Sequence, residues 1–393
     1  METVKKNKFW LLGVILVSYF VVGFPDGSFT ISWLGIAYEL QGMTTAHTGY
    51  ILVGYSVTYT LAGVILSKMN KFMRLQTIYF FGLCIMGLGF VSLALSHTFA
   101  AVLATITLYG FGTGLMAASM NSYMAKHFTT RHNNWMHCFW GAGASLSPII
   151  MGQMMAVMSW RAGYFVITGI LGVVAVMLLI SMYKKIWIDE DVEEHTEEKA
   201  ETVSTKKYLT KKWHQVVEIL TFFFLGGTDY TLVFFTGAAL IARGYHTTYT
   251  VAVFSAIYYV SMTAGRMFFG WTAKWLKEGP IIRIGSVIAV AGIAVLYFTG
   301  NAVGMALAGF GLGPMLPTLV SDSSNRFNPK ILSKIVGYEL AAFGAGIAAL
   351  FFLTSQIMHF ITYEALFPLA LAFIILVLLS NELLAHATKK QEK

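Results

Sequence analysis

Two stretches, Leu75–Leu95 and Gly163–Met182, each run for about 20 residues without a charge. That is the length an α-helix needs to cross the hydrocarbon core of a bilayer. Hydrocarbon offers no partner to a backbone N–H or C=O, so only helices and closed barrels span it. A barrel strand alternates polar and apolar residues over about 10 positions, whereas these runs are continuously apolar. The rest of the chain agrees. Of its 393 residues 56% are hydrophobic and 12% charged, about half the charged share of a soluble protein. Most charges fall in short clusters between apolar runs. This pattern excludes a soluble enzyme, a disordered chain and a secreted disulfide scaffold. Cys84 and Cys138 both fall inside apolar runs, with no metal-ligand or disulfide spacing. Lys5, Lys6 and Lys8 precede the first run in the manner of a signal peptide. That run is too long for one, and more spans follow, so it reads as a retained first helix.

The length rule divides the chain into twelve spans, giving an all-α membrane protein. The first six cover residues 9–37, 47–68, 75–96, 99–124, 134–158 and 162–184. The second six cover residues 213–242, 248–275, 281–299, 301–321, 333–358 and 362–385. Lysine and arginine collect on the cytoplasmic side of membrane proteins. With both termini cytoplasmic, 24 of the 27 basic residues fall in inner segments, leaving only Arg161, Arg243 and Arg266. Eleven spans would put the C-terminal lysines outside. The net charge of +8 then faces anionic inner-leaflet lipid rather than nucleic acid, and the expected location is the inner cell membrane.

The expected organisation is a six-helix half at 1–183, a cytoplasmic linker at 184–212 and a second six-helix half at 213–393. The linker holds eight acids and seven lysines, too polar to bury a core. The halves repeat at an offset near 203 residues. Gly23–Asp26 parallels Gly226–Asp229, and Gly141–Gly143 parallels Gly344–Gly346. Phe111–Gly114 parallels Phe310–Gly313 at an offset of 199, and Gly63 parallels Gly265. Duplicated bundles with a site at the membrane midplane are a transporter architecture. Most of the repeated glycines also have a packing explanation, because small residues let helices approach closely.

Charges at mid-membrane depth cost roughly 2.5–3.5 kcal/mol each on insertion scales, so each one needs a reason. Asp26 follows Pro25 and is flanked by Gly23 and Gly27, the composition of a broken helix beside a carboxylate. Asp229 stands at the equivalent place in the second half. Glu339 lies about 9 Å into span eleven by helical rise. His137 and Trp140 share one face of span five, and Arg266 shares a face of span eight with Tyr259 and Met262. Carboxylates in a low-dielectric cavity can load and release protons near neutral pH. They also accept hydrogen bonds from the hydroxyls of a sugar, whose apolar faces stack on rings such as Trp33, Tyr55, Tyr59, Trp140, Tyr230, Tyr258 and Tyr259. Structural roles stay open for the same residues. Asp229 and Arg266 are a candidate ion pair, Asp26 a candidate interfacial acid, His137 a packing residue, and Glu339 a group reached by cytoplasmic water. Glu218 and Glu382 read as interfacial.

Taken together, these features resemble the major facilitator superfamily over essentially the whole chain. In that family's loop motif after span two, Gly63, Lys68 and Lys71 keep the glycine and both basic positions, while Ser67 and Asn70 replace the aspartate and second glycine. Within the superfamily the chain resembles the fucose–proton symporter family. The segments that carry this are Asn134–Gly143 with its Phe-x-Gly-x-Gly, Gly226–Asp229, Gly265-Arg266, and Gly311–Pro317 with its Pro-x-x-Pro. The resemblance implies two pseudo-symmetric six-helix halves in the major facilitator architecture. It makes Asp26 the match of a proton-coupling aspartate and Asn121 the match of an asparagine near the sugar. A glutamate of that symporter falls on Ala117 and a glutamine on His137, so its two-carboxylate scheme does not transfer whole.

The expected function is therefore a secondary active transporter that imports a sugar or related polar solute with protons by alternating access, as a monomer. Proton coupling falls to Asp26, Asp229 and Glu339. Solute binding falls to those three with Asn121, His137, Trp140, Tyr230, Tyr259 and Arg266. No ATP-binding loop, cofactor motif or metal-ligand spacing occurs in the sequence. Two alternatives stand beside it: an exporter of amphipathic compounds or uncoupled facilitator, and a membrane-embedded enzyme or sensor. Neither His-Glu-x-x-His nor Gly-x-Ser-x-Gly is present to support an enzyme.

Overall fold

The computed structural model describes residues 2–40, 43–128, 130–188, 208–245 and 248–392, and most of the polar linker lies outside them. The described residues form fourteen α-helices and one 3₁₀ turn, with no strand among them. In chain order the helices are α1 (Glu2–Val22), α2 (Phe24–Glu39), α3 (Thr45–Met69), α4 (Leu75–Ala94), α5 (Phe99–His127), α6 (Thr130–Val157) and α7 (Trp160–Tyr183). They continue as α8 (Lys212–Ala242), α9 (Thr248–Thr272), α10 (Glu278–Thr299), α11 (Ala302–Leu312), α12 (Met315–Arg326), α13 (Pro329–Phe360) and α14 (Leu366–Glu392).

Each of the twelve expected spans is helical, and two are broken. Span one divides into α1 and α2 at Gly23; span ten divides into α11 and α12 at Gly313–Pro314. Pro25 sits in the first turn of α2, where its missing N–H removes a group that has no intrahelical partner anyway. Among the described residues ten spans are long and apolar enough to cross a membrane by length and composition alone. The helices α6 and α9 fall short. They carry His137, Ser145, Ser147 and Gln153 on one and Ser255, Thr263 and Arg266 on the other. Both helices hold candidate site residues, His137 and Trp140 on α6 and Tyr259 and Arg266 on α9.

The chain separates into two compact units, Met1–Glu194 with His246–Ala256, and His195–Tyr245 with Ile257–Lys393. In the first, α5 packs on α3 and α4, α6 on α1 and α2, and α7 on α4. In the second, α8 packs on α13 and α14, and α10 on α11 and α14. Lipid is as apolar as leucine, so helices inside a bilayer associate by close packing rather than by hydrophobic burial. Glycines at matched positions supply that packing. A Cβ at Gly143 would collide with the Phe20 carbonyl, and one at Gly346 with the Phe223 carbonyl. Gly23 lies against the Trp140 carbonyl, and Gly226 against that of Phe343. The four contacts are two relationships, each repeated at an offset of 203. The pairing of Gly63 with Gly265 does not hold in the same way. Gly265 abuts the Phe310 carbonyl, whereas a Cβ at Gly63 would meet open space. The residue 203 positions before Gly265 is Ala62, which is buried against Gly114.

One end of each unit is closed by an ion pair. Arg161 at the start of α7 bonds Glu39 at the end of α2 at 2.6 Å, and its other nitrogen donates to the carbonyls of Ala94 and Ser96. Arg243, just after α8, bonds Glu364 at 3.0 Å and donates to the Tyr297 carbonyl. Two of the three arginines left over from the inner-segment count are therefore joints between helix ends.

Candidate functional site

In the first unit the site begins at the break in span one. Gly23 keeps right-handed helical angles and, lacking a Cβ, admits the Trp140 carbonyl; Asp26 lies in the first turn of α2, a position that favours an acid. Asp26 is partly buried. Tyr19 of α1, Tyr55 and Tyr59 of α3, and Tyr109 of α5 all lie within electrostatic reach of its carboxylate. From Tyr19 a polar chain continues. Asn121 Nδ2 of α5 donates to the Tyr19 hydroxyl at 3.1 Å and to the Ala117 carbonyl at 2.8 Å. Asn121 Oδ1 lies 3.1 Å from His137 Nε2 of α6, and the His137 ring meets the Tyr19 ring edge-on at 5.6 Å. Tyr19, Asn121 and His137 are thus in contact across α1, α5 and α6, and Asp26 of α2 lies within electrostatic reach of Tyr19. Trp140 lies one turn beyond His137, partly buried, with its carbonyl against Gly23.

The second unit carries the counterpart. Asp229 of α8 is partly buried and accepts a hydrogen bond from the Tyr258 hydroxyl of α9. Tyr258 stands 203 residues after Tyr55, as Asp229 stands 203 after Asp26. Both tyrosines sit at a close crossing, Tyr55 against Gly110 and Tyr258 against Gly309. Arg266 lies within electrostatic reach of Asp229, and its Nε donates to the Gly313 carbonyl at 2.9 Å, at the break between α11 and α12. Tyr259 is buried edge-on against Tyr258 at 5.7 Å, and Tyr230 follows Asp229, partly buried.

Glu339 is placed elsewhere. It sits on α13, fully buried, with Oε1 2.6 Å from Ser323 Oγ. Its neighbour is Glu218, eleven residues before Asp229 on α8 and about 16 Å away by helical rise. The structure corrects one expectation here and weighs against one alternative. Glu218 is not interfacial but 0% exposed, and it bonds Arg326 at 2.8 Å. Glu339 is shut off from water, also at 0% exposure. Arg326, counted with the inner loops, belongs to the bundle: it is 3% exposed and joins Glu218, Asp322 and Asn381. Glu382 is the one that behaves as an interfacial group, half-exposed and paired with Arg283 at 2.6 Å.

Known proteins fit this layout. The family model for the Major Facilitator Superfamily matches residues 15–349. The chain belongs to the Major Facilitator Superfamily. It is accordingly a multi-pass membrane protein and a secondary transporter rather than an enzyme. Solved superfamily members share its fold at low identity. A bacterial homolog of the human lysosomal transporter Spinster, in an inward-facing and unoccupied conformation, superposes with a TM-score of 0.73 at 12% identity, covering 98% of each chain. A mutant of the nucleoside transporter NupG gives 0.74 at 11% identity over 95% of this chain and 99% of its own. The POT family transporter PepTSo gives 0.71 at 12% identity over 97% and 98%. No curated protein matches in sequence.

Within this facilitator, sequence reasoning missed Tyr19 as the link between Asp26 and Asn121, and missed Glu218 with Arg326 altogether. A signal existed for each. The repeat extends to Tyr55 and Tyr258, so a tyrosine beside each aspartate is visible once the offset is known. Asp322 and Arg326 stand four apart on one helix face, the spacing of an ion pair.

Proposed function

We propose that this facilitator imports a sugar or related polar solute together with protons, by alternating access, and that it stands near the fucose–proton symporter family. The observation that carries the reading is the hydrogen-bonded set Tyr19, Asn121 and His137, with Asp26 within electrostatic reach of Tyr19. It places one acid, one amide and one imidazole on three helices with hydroxyls around them. Such a set offers the donors and acceptors that a polyhydroxylated solute demands, next to a carboxylate able to take up a proton. Asp229 with Tyr258, Tyr230, Tyr259 and Arg266 is the second binding group. Trp140 is the stacking partner of a solute in the first group. Glu339 is assigned to proton handling alone, since its neighbours are Ser323 and Glu218 rather than Asp229. The protein works as a monomer in the inner cell membrane, with both termini cytoplasmic and the two halves joined by the 184–212 linker.

Reconstituted protein with an acidic exterior tests this. Monosaccharides, and nucleosides as the ribose-containing comparison, are screened by thermal shift and then by uptake. A bound solute at 100 times its dissociation constant adds about 2.7 kcal/mol of stability, well within reach of the measurement. A sugar should bind, move protons inward and depend on Asp26. Proton-independent uptake that Asp26→Asn leaves unchanged removes the coupling, and protonophore-sensitive efflux of an amphipathic compound without sugar binding replaces import by export.

A further inference from the structure

Ser323 of α12 has one hydroxyl hydrogen and three acceptors around it. Its Oγ lies 2.6 Å from Glu339 Oε1, 3.0 Å from the Leu319 carbonyl and 3.3 Å from Glu218 Oε1. The arrangement closes if one of these groups brings a hydrogen of its own. A carbonyl has none. Glu218 is engaged as an anion, its Oε2 receiving Arg326 Nη1 at 2.8 Å. Glu339 is the group that remains.

Charge counting gives the same answer. Arg326 faces Glu218 at 2.8 Å and Asp322 at 2.6 Å, so one guanidinium already serves two carboxylates. A third ionised carboxylate at Glu339 would stand unneutralised at 0% exposure, the most expensive state for a buried charge. Orphaned atoms are a separate observation. Glu339 Oε2 is buried without a hydrogen-bond partner, and so is Asn381 Nδ2, whose own oxygen accepts from Arg326. An unpartnered oxygen costs less on a neutral acid than on an anion, which needs donors at both oxygens.

We propose that Glu339, Ser323 and Glu218 form a proton-binding site separate from Asp26 and Asp229, in which one proton rests on Glu339 and exchanges with Glu218 through the Ser323 hydroxyl. The resting bonds run from Glu339 Oε1–H to Ser323 Oγ, and from Ser323 O–H to Glu218 Oε1. In the exchange the Glu339 O–H bond breaks as Ser323 Oγ takes that proton. The hydrogen Ser323 held forms a bond to Glu218 Oε1. The hydroxyl is restored, Glu339 becomes the anion and Glu218 the neutral acid. Arg326 then loses its charged partner on α8 and keeps Asp322 on its own helix. The proton's position therefore decides whether α12 is ionically tied to α8.

Other ionisable groups border the site. His214 lies one turn before Glu218 on α8 and is buried. On α10, Glu278 accepts from Ser321 at 3.2 Å and lies within electrostatic reach of Asp322. Arg283 of α10 is occupied by Glu382 of α14. Asn381, the contact from α14, is neutral. The role of this site in driving transport rests on the proton-coupled reading above, but its existence does not.

Infrared difference spectroscopy of the full chain in lipid nanodiscs, titrated from acid to alkaline pH, reads the site directly. The wild type should show a protonated-carboxyl C=O band that bleaches as pH rises. Glu339→Gln should remove one such band completely. Ser323→Ala should keep it but shift it to higher frequency, because its hydrogen-bond acceptor is gone. Asp26→Asn and Asp229→Asn should leave it in place. A wild-type spectrum identical to that of Glu339→Gln overturns the proposal, as does a carboxylate signal at Glu339 that moves with sodium and not with pH. If Glu339→Gln does not fold, the Ser323→Ala shift decides: an unmoved band overturns the site. A preserved Glu339 band beside uptake that ignores Asp26→Asn would retire the coupling reading and leave the site standing.

Discussion

Arg243 faces Glu364 across the same joint at which Glu39 faces Arg161, with the charges exchanged. Positions 39 and 243, and 161 and 364, are near-equivalent in the repeat, and so are the carbonyls of Ala94 and Tyr297 that each arginine also caps. The two units share the joint and differ in its polarity. What the fold requires there is a cation on one helix end, an anion on the other and a donor for the third helix's carbonyl.

That arrangement predicts unequal costs for the two partners. Glu39→Ala removes a half-exposed carboxylate from its pair, for which exposed pairs contribute about 0.2–1 kcal/mol, and strands the Trp160 Nε1 donor, one hydrogen bond against the two carbonyls that Arg161 caps. Arg161→Ala also strands the carbonyls of Ala94 and Ser96, and bonds from charged donors contribute about 1.5–3 kcal/mol each. Thermal unfolding in detergent should show the arginine variant losing clearly more. The exchanged double variant Glu39→Arg with Arg161→Glu should recover part of the loss. Equal losses for the two single variants would refute the carbonyl argument.

The helix crossings predict a second contrast. Gly143→Ala and Gly346→Ala place a methyl on the carbonyls of Phe20 and Phe223, atoms with no rotamer to change. Overpacking of this kind costs about 1–3 kcal/mol. Gly63→Ala meets nothing and removes a poor helix former, a gain of up to about 1 kcal/mol. Unfolding midpoints should fall for the first two variants and hold or rise for the third.

The twelve spans were legible because an apolar run of helical length has one reading in a membrane, and lysine placement fixes their number. The broken helix at Gly23 was legible too, from Gly-Phe-Pro-Asp. The break at Gly313–Pro314 has the same composition, but nothing in span ten carried a charge that drew attention to it. At the site, Asp26 and His137 were individually visible, since polar groups in apolar helices stand out, while Asn121 came through the family resemblance. Their linkage through Tyr19 was not, because tyrosine is common in this chain and carries no charge. Arg326 and Glu218 were misread for a physical reason. Both lie near helix ends, where a sequence looks the same whether the side chain turns out to water or inward to a partner.

Asp26 and Asp229 should respond differently to substitutions that preserve shape. Asp26→Asn keeps a hydrogen-bonding group and removes its titration, so accumulation driven by a pH gradient should vanish while exchange of labelled solute between equal concentrations persists. Tyr258→Phe withdraws the hydroxyl from Asp229 and leaves every carboxylate in place. Loss of a bond to a charged group, about 1.5–3 kcal/mol, corresponds to roughly a ten- to hundredfold weakening. It should appear in solute affinity with the proton-to-solute ratio unchanged. Accumulation that survives Asp26→Asn would move the coupling elsewhere.

The Glu218–Arg326 pair predicts a sharper asymmetry in stability. Removing one partner of a buried ion pair typically costs about 3–5 kcal/mol, because the other charge is left uncompensated. Arg326→Met leaves Glu218 and Asp322 without their shared cation, and Asn381 loses its donor. Glu218→Gln is milder, since the amide oxygen still accepts from Arg326 and Asp322 still neutralises it. The double variant Glu218→Leu with Arg326→Met removes both charges of the pair and should be more stable than Arg326→Met alone. Denaturation of the purified variants in mild detergent gives the order, with Arg326→Met the least stable of the three. If the double variant is instead the least stable, the pair contributes net stability beyond the compensation of one charge by the other, and Arg326 is a structural tie rather than the counter-ion of two acids.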